Sequence, residues 1–425
     1  MSRIEFTGIL SRQVVSTRAG HRTQGCISQR KSSIQMASIL DLPNECLIMI
    51  CKNLKYHDLQ YWSNICKRFE HIYFEYCHNW MEVNDNLAKN YGHLIGTGDF
   101  PLRTIKKLNL SKSKCTKYFL NKLRECHKEI EEATLYSFTD EYLAELMPLP
   151  NLKKLECYNF YNFRGRGLIE LDSLTELHIL SSSFLDPKYL LQLTYFNPLR
   201  ILVMRNDQNM FSERYAFEMV ENLKNVEELE ISFNPSKSWQ LVGTLPKLQK
   251  LQIWRFDSYQ CETCLNDQNL YKRCKMQHGK LFFDELLRRN QLEELELSDG
   301  SVSEQHLLRI SKLTNLKRLT LWRAALTHSL SLGVFKDLVN LEELQLDDSK
   351  VRNAQVLLEI IRCCKKLKVL FVGSVHAIEY FLAEANDILS RRQPAPLEPL
   401  KTGFSFNTLS YEPNQSLIHI IPTFF

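Results

Sequence analysis

From residue 105 to residue 372 the apolar positions recur in one order: apolar, two residues, apolar, one residue, apolar. The clearest copies are Leu292–Leu295–Leu297, Leu316–Leu319–Leu321 and Leu341–Leu344–Leu346. Eleven copies can be counted, beginning at Ile105, Ile130, Leu152, Leu174, Leu199, Val226, Leu248, Leu292, Leu316, Leu341 and Leu367. The last two apolar positions of each copy sit two apart, so they face the same side of a short strand. One such strand cannot bury that side alone, and evenly spaced copies therefore predict a stack of parallel strands over a continuous core. The rest of each repeat should return as a helix. In Ser303–Leu313 the apolar residues Leu307, Ile310 and Leu313 fall on one helical face.

Successive copies lie 22 to 27 residues apart, except for one step of 44 between Leu248 and Leu292. This period resembles that of leucine-rich repeats. The expected fold class is α/β: a solenoid over residues 104–390 with a curved parallel sheet inside and helices outside. The residue just before the second repeat leucine reads Lys107, Glu132, Lys154, Glu176, Ile201, Glu228, Lys250, Glu294, Arg318, Glu343 and Val369. Its sign nearly alternates, and strands about 4.8 Å apart would set opposite charges side by side. That reading accounts for the recurring Glu-Glu pairs without acid–base catalysis. No P-loop, GxGxxG, HExxH or GxSxG sequence is present, and no enzyme activity is expected.

Residues 36–80 follow another pattern. Leu47, Ile50 and Leu54 form a helical stripe after Pro43, which suits a first helical turn. His57 and Asp58 offer a start for a second helix carrying Leu59, Trp62 and Ile65, and a third runs through Ile72 and Tyr76. This stretch resembles an F-box. Leu42, Pro43, Glu45, Leu47, Ile50 and Leu54 match the family's opening, Asp58 and Leu59 its Asp-Leu, and Ile65, Cys66, Lys67 and Phe69 its closing segment. The closing segment departs from the family, because Phe69 stands one residue late and replaces the frequent tryptophan.

An F-box followed by such repeats resembles the substrate receptors of SCF-type ubiquitin ligases. That resemblance implies docking on a Skp-type adaptor, and through it on a cullin, with the repeats holding a protein substrate. The adaptor-binding residues it implies are Leu42, Pro43, Glu45, Leu47, Ile50, Leu54 and Leu59. A helical trio this small cannot bury all its leucines. Surplus apolar surface headed by Leu42, Pro43 and Leu47 should seek a partner, or else pack on the first repeat.

Composition narrows the remaining classes. The chain has 425 residues, 44% hydrophobic and 24% charged, enough for a large core. A net charge of +5 is too small at this length to argue for nucleic acid. The longest apolar runs are too short for a membrane span. Thirteen cysteines scattered through repeat and helical positions suit free thiols in a reducing compartment, hence a cytoplasmic or nuclear protein. Residues 1–35 are basic and lack an apolar period, so disorder is expected, although transit peptides share this bias. They show no signal-peptide pattern, and Met36 is an alternative start. Residues 81–103 are turn-rich and read as a linker with a short helix capping the first repeat. Residues 391–425 read as a proline-rich spacer and a tail that adds a poor twelfth strand or folds back along the inner face.

The long step reads as an inserted loop at about 257–279. Its Cys261, Cys264, Cys274 and His278 are a candidate structural zinc set, since a CxxC pair can present two thiolates to one metal. The other reading is a polar loop with free cysteines. The residue after each repeat's last apolar position should point out of the concave face. There it reads Ser111, Tyr136, Tyr158, Leu180, Arg205, Ser232, Trp254, Ser298, Trp322, Asp347 and Gly373. Tyr136, Tyr158, Arg205, Trp254 and Trp322 are therefore candidate substrate contacts, with Arg255 and Arg323 beside the tryptophans. Trp254 and Trp322 are expected to stand about 10 Å apart across Ser298, with room for one partner side chain between the rings.

Overall fold

The computed structural model describes residues 39–54, 58, 61–62, 65–73, 80–83, 105–181, 185–205, 214–232, 237–255, 268–298, 301–322, 325–326, 329–351, 353–375, 378–393, 398–404 and 417–420. Its strands are β1 (Trp80–Val83), β2 (Lys107–Ser111), β3 (Glu132–Tyr136), β4 (Lys154–Tyr158), β5 (Glu176–Leu180), β6 (Ile201–Arg205), β7 (Glu228–Ser232) and β8 (Lys250–Trp254). They continue with β9 (Glu294–Ser298), β10 (Ser301–Val302), β11 (Arg318–Trp322), β12 (Ala325–Leu326), β13 (Glu343–Val351), β14 (Val369–Val375), β15 (Leu400–Phe404) and β16 (Ile418–Ile420). All but β10 and β12 join one fourteen-stranded sheet in chain order, and neighbouring strands pair parallel, as in β2–β3 and β13–β14.

The helices are α1 (Asn44–Asn53), α2 (Lys67–Ile72), α3 (Lys117–Cys126), α4 (Asp140–Leu146), α5 (Pro187–Phe196), α6 (Ala216–Asn222), α7 (Gln268–Arg289), α8 (Glu304–Ile310), α9 (Ala354–Cys363) and α10 (Ile378–Ser390). Each of α3 to α10 lies between two strands of the sheet in sequence. This is the leucine-rich-repeat solenoid expected from the apolar period. The repeat positions carry the core: none of the thirty-three apolar residues of the eleven copies is more than 4% exposed.

Three repeats return differently from the helical expectation. Arg166–Glu170, Lys237–Thr244 and Ser329–Asp337 form 3-10 helices. The first two fall in steps of 22 residues, but α4 falls in a step of the same length, so step length alone does not select the 3-10 form. In the first, a turn at Gly165, with φ of 94°, starts the segment. The Asp140 carboxylate fixes that turn by accepting from the backbone N–H groups of Arg164, Gly165 and Arg166, each at 2.8 Å. Ser303 caps α8 in a reciprocal capping box with His306.

The long step also differs from expectation. Residues 268–279, read as part of a loop, belong to α7, a 22-residue helix. Its C-terminal half carries Phe282, Phe283 and Leu286 into the core. Of the linker read at 81–103, only residues 81–83 are described; they belong to β1, which pairs with β2, and the rest of that stretch, with the short capping helix expected there, lies outside the described residues. At the other end β15 and β16 extend the sheet past the eleventh repeat.

The charge column predicted along the sheet is present in register. Lys107 pairs with Glu132 at 2.7 Å, Lys154 with Glu176 at 4.0 Å, and Lys250 with Glu228 at 3.3 Å, while Arg318 pairs with Glu294. A second column, one residue earlier, escaped the sequence reading. It joins Lys106 and Lys153 to Glu131, Arg200 to Glu227, Lys317 to Glu293, and Lys368 to Glu342, at 2.6 to 3.0 Å. Exposed pairs of this kind add little stability.

Buried thiols fit the free-cysteine reading: burial pushes Cys115 and Cys364 up to about 12. Burial lowers the pKa of His127, which caps α3 at 5% exposure. The folded chain keeps this imidazole neutral, whereas the unfolded chain takes up a proton near the ordinary value of about 6.5. His127 thus gives stability that is present above that pH and lost as pH falls below it. The urea midpoint should drop between pH 7.5 and pH 5.5, and His127→Gln should shrink that drop. An unchanged pH slope in the variant would count against the assignment.

Candidate functional site

Two surfaces merit description: the N-terminal helical unit and the exposed face of the sheet. In the first, Leu47, Cys51, Trp62, Phe69 and Ile72 form a small core separate from that of the solenoid. Trp62 and Phe69 stack at 4.0 Å. Phe69, the departure from the F-box pattern, thus fills the centre of this core at 0% exposure.

Leu47 is also 0% exposed. It belongs to the core and not to the leading surface where the sequence reading put it, because its helical stripe faces α2. Leu42, Ile50 and Leu54 are half-buried against the same core, while Pro43 and Glu45 are exposed. Leu59 lies outside the described residues. Of the expected second helix, Asp58, Tyr61 and Trp62 are helical, whereas Ile65 lies in a bend beyond it and is exposed. The entry segment is tied down by Arg68. Its guanidinium donates to the Leu40 carbonyl at 2.7 Å, the Leu42 carbonyl at 2.6 Å and the Asn44 side-chain oxygen at 2.7 Å. Outside the core lie Ile39, Leu40, Met49, Tyr61 and Ile65, each between 46% and 74% exposed.

On the sheet, strand alternation sends the repeat leucines inward and the intervening residues outward. Tyr136 and Tyr158 are register partners, and their rings stack at 5.0 Å, close to the strand spacing. Beside them Glu156 receives the Lys154 ammonium at 2.9 Å and the Thr134 hydroxyl at 3.2 Å. Burial lowers the pKa of the neighbouring His178, although Glu156 opposes the shift.

The second cluster spans β6 to β11. Arg205 lies over the Trp254 ring, 4.7 Å from its centroid, and its Nε donates to Glu230. Trp254 Nε1 donates to the same Glu230 oxygen at 2.6 Å. The expected gap between the tryptophans is closed. Their ring centroids are 5.8 Å apart at 86°, an edge-to-face contact, and Ser298 beneath is 0% exposed. Two strands separate the backbones by about 10 Å. Indole side chains can lean across that distance, Ser298 offers no bulk to keep them apart, and contact removes aromatic surface from water. Arg255 is exposed just past β8, where φ of 53° turns the chain out of the strand direction. Arg323 lies outside the described residues.

The sequence reading missed the middle column of the face. It reads Asn109, Thr134, Glu156, His178, Val203, Glu230, Gln252, Glu296, Thr320, Gln345 and Phe371. The absence of Lys and Arg from this column, against three glutamates, was the signal available. Burial raises the Glu296 carboxyl pKa, with the Glu230 charge adding to the shift.

Of the candidate zinc set, Cys261 and Cys264 lie outside the described residues, and Cys274 and His278 fall within α7 at positions whose side chains are not described. Among the described residues no group of three or more His, Cys, Asp or Glu could hold a metal ion, and no helix is long and apolar enough to cross a membrane.

No protein-family profile matches the chain, and no curated protein matches it. Among solved structures, it is similar to an internalin from Listeria monocytogenes, at 13% identity and a TM-score of 0.44, over 79% of this chain and 90% of that one.

Proposed function

We propose that the chain is the substrate-recognition subunit of an SCF-type ubiquitin ligase. Its N-terminal helical unit docks on a Skp-type adaptor, and its sheet face holds a protein substrate. The observation that carries the first half is a small separate core that leaves five large apolar residues at its surface. An apolar surface of this kind on so small a unit favours a partner. The Leu42-Pro43 entry lies on the same unit, with its backbone path fixed by Arg68.

The sheet face favours a second reading at the coarser level: a protein-binding repeat scaffold without a ligase. Its aromatic and charged clusters suit protein contact whatever the N-terminal unit does. The test is Leu42→Ala with Pro43→Ala. Arg68 grips main-chain carbonyls in this segment, so the chain path should survive truncation of both side chains. A well-packed interface anchor is worth about 2 kcal/mol, and adaptor affinity should therefore fall about thirtyfold or more, with the melting temperature unchanged. Unchanged adaptor affinity sinks the ligase reading. Wild-type chain that carries the adaptor from cells but no cullin favours the scaffold.

A further inference from the structure

The sheet face contains one carboxylate that pairs with a cation of the chain and a second, in the same relation to the tryptophan on the following strand, that receives only neutral donors among the described residues. In the first, Glu230 occupies the middle of β7 and Trp254 the end of the next strand, β8. Arg205, at the end of β6, completes it by lying on the indole and pairing with the carboxylate.

Two sheet positions on, the relation repeats. Glu296 occupies the middle of β9, and Trp322 the end of its sheet neighbour β11. The place that corresponds to Arg205 is the end of β8, and there the residue is Trp254. Glu296 receives only neutral donors among the described residues: Gln252 Nε2 at 2.8 Å and Ser298 Oγ at 3.1 Å. Arg205 and Lys250 act on it only as weaker, more distant charges. A half-buried carboxylate without a cation is held at a disadvantage, which is why burial raises its pKa. The Trp254 ring fills that place and meets Trp322 edge to face, so a guanidinium or ammonium group that relieves the disadvantage has to come from outside the chain, to the carboxylate beside the paired indoles.

The surroundings have the same sign. The middle column holds three glutamates and neither lysine nor arginine, in a chain whose net charge is +5. The interior face therefore runs against the charge of the molecule as a whole.

We propose that this face binds a segment of a partner protein bearing arginine or lysine, with the cationic head seated on the Glu296 carboxylate beside Trp322. The inference rests on the reading of the sheet face as the surface that holds a protein partner. It names the chemistry of that partner, and the internal Arg205–Glu230–Trp254 group is its template.

The test uses the full chain and a displayed library of random peptides, selected in parallel on wild type, Glu296→Gln, Glu156→Gln and Trp322→Ala. Glutamine keeps an acceptor for Gln252 and Ser298 and removes the charge. The charged form of Glu296 opposes folding above its raised pKa, so Glu296→Gln should melt at or above wild type at neutral pH, which serves as the folding control. The expected result is a wild-type pool enriched in basic residues at one position. That pool should bind Glu296→Gln about tenfold or more weakly and Glu156→Gln normally. A pool with no basic preference, or one that binds Glu296→Gln as well as wild type, overturns the proposal. If such a pool is still lost on Trp322→Ala, the sheet face stands as the binding surface. If peptides bind Trp322→Ala undiminished, or if no pool is recovered, both readings fail.

Discussion

Asn197→Ala should be among the most destabilising substitutions of a polar residue in the chain. Asn197 follows α5 at 2% exposure. Its side-chain oxygen accepts from the Leu174 N–H at 2.6 Å, and its amide donates to the carbonyls of Leu171 at 2.7 Å and Leu193 at 2.9 Å. One side chain thus satisfies the backbone entering β5 and the end of α5 together. The Leu193 carbonyl keeps a second donor, the Asn197 N–H at 3.1 Å, but Leu174 and Leu171 lose the partners this side chain gave them. A buried backbone group left without a partner costs about 1–3 kcal/mol, so the total should be about 4 kcal/mol. Asn340 makes a related cross-repeat bond to the Thr314 carbonyl at 2.8 Å, but it is exposed. Water can replace that bond, and Asn340→Ala should cost less than about 1 kcal/mol. Urea midpoints of the two variants provide the comparison, and equal midpoints would remove the distinction.

Trp239→Ala should cost about as much, for a different reason. Trp239 is the largest fully buried side chain among the described residues, and it lies in the 3-10 segment Lys237–Thr244 with its ring 5.6 Å from Phe282. Gly243 brings this segment against α7, since a Cβ there would fall 2.8 Å from the Glu285 Cβ and 3.0 Å from the Phe282 carbonyl oxygen. Backbone contact at Gly243 and ring contact at Trp239 together attach the longest helix to the repeat before it. Trp→Ala in a packed core costs about 3–5 kcal/mol through lost burial and the cavity left behind. The melting temperature should fall accordingly, and α7 should become newly open to proteolytic cleavage. Trp239→Phe, which keeps a ring against Phe282, should do much less. Resistance of α7 to protease in the alanine variant would show that other contacts hold it.

The eleven repeat strands were legible in the sequence because burial there repeats with the chain: Leu108, Ala133, Leu155 and Leu177 occupy one row. Their period says which side is buried without knowledge of the neighbours. The return segments were less legible. Whether a 22-residue step closes through α4 or through the 3-10 turn at Arg166–Glu170 depends on contacts such as Asp140 with Gly165, which join different repeats. Leu47 was misplaced for a similar reason: a helical stripe shows that a face is buried, not whether the burying partner is inside the chain. The tryptophan gap failed because strand spacing fixes Cα atoms, while indoles reach several ångströms beyond them. Glu296 went unnoticed because its meaning comes from comparison with Arg205 and Glu230, three and two sheet positions away.

The alternating columns along the sheet give the array a parity. With Lys107, Glu132, Lys154 and Glu176 on successive strands, excision of one repeat would bring lysine beside lysine or glutamate beside glutamate, in both columns of this segment at once for the pair Lys106 and Lys153. Excision of the Glu132 and Lys154 repeats together would set Lys107 beside Glu176 and restore opposition in the first column. The counting unit of the first column at this end of the solenoid is thus a doublet of repeats.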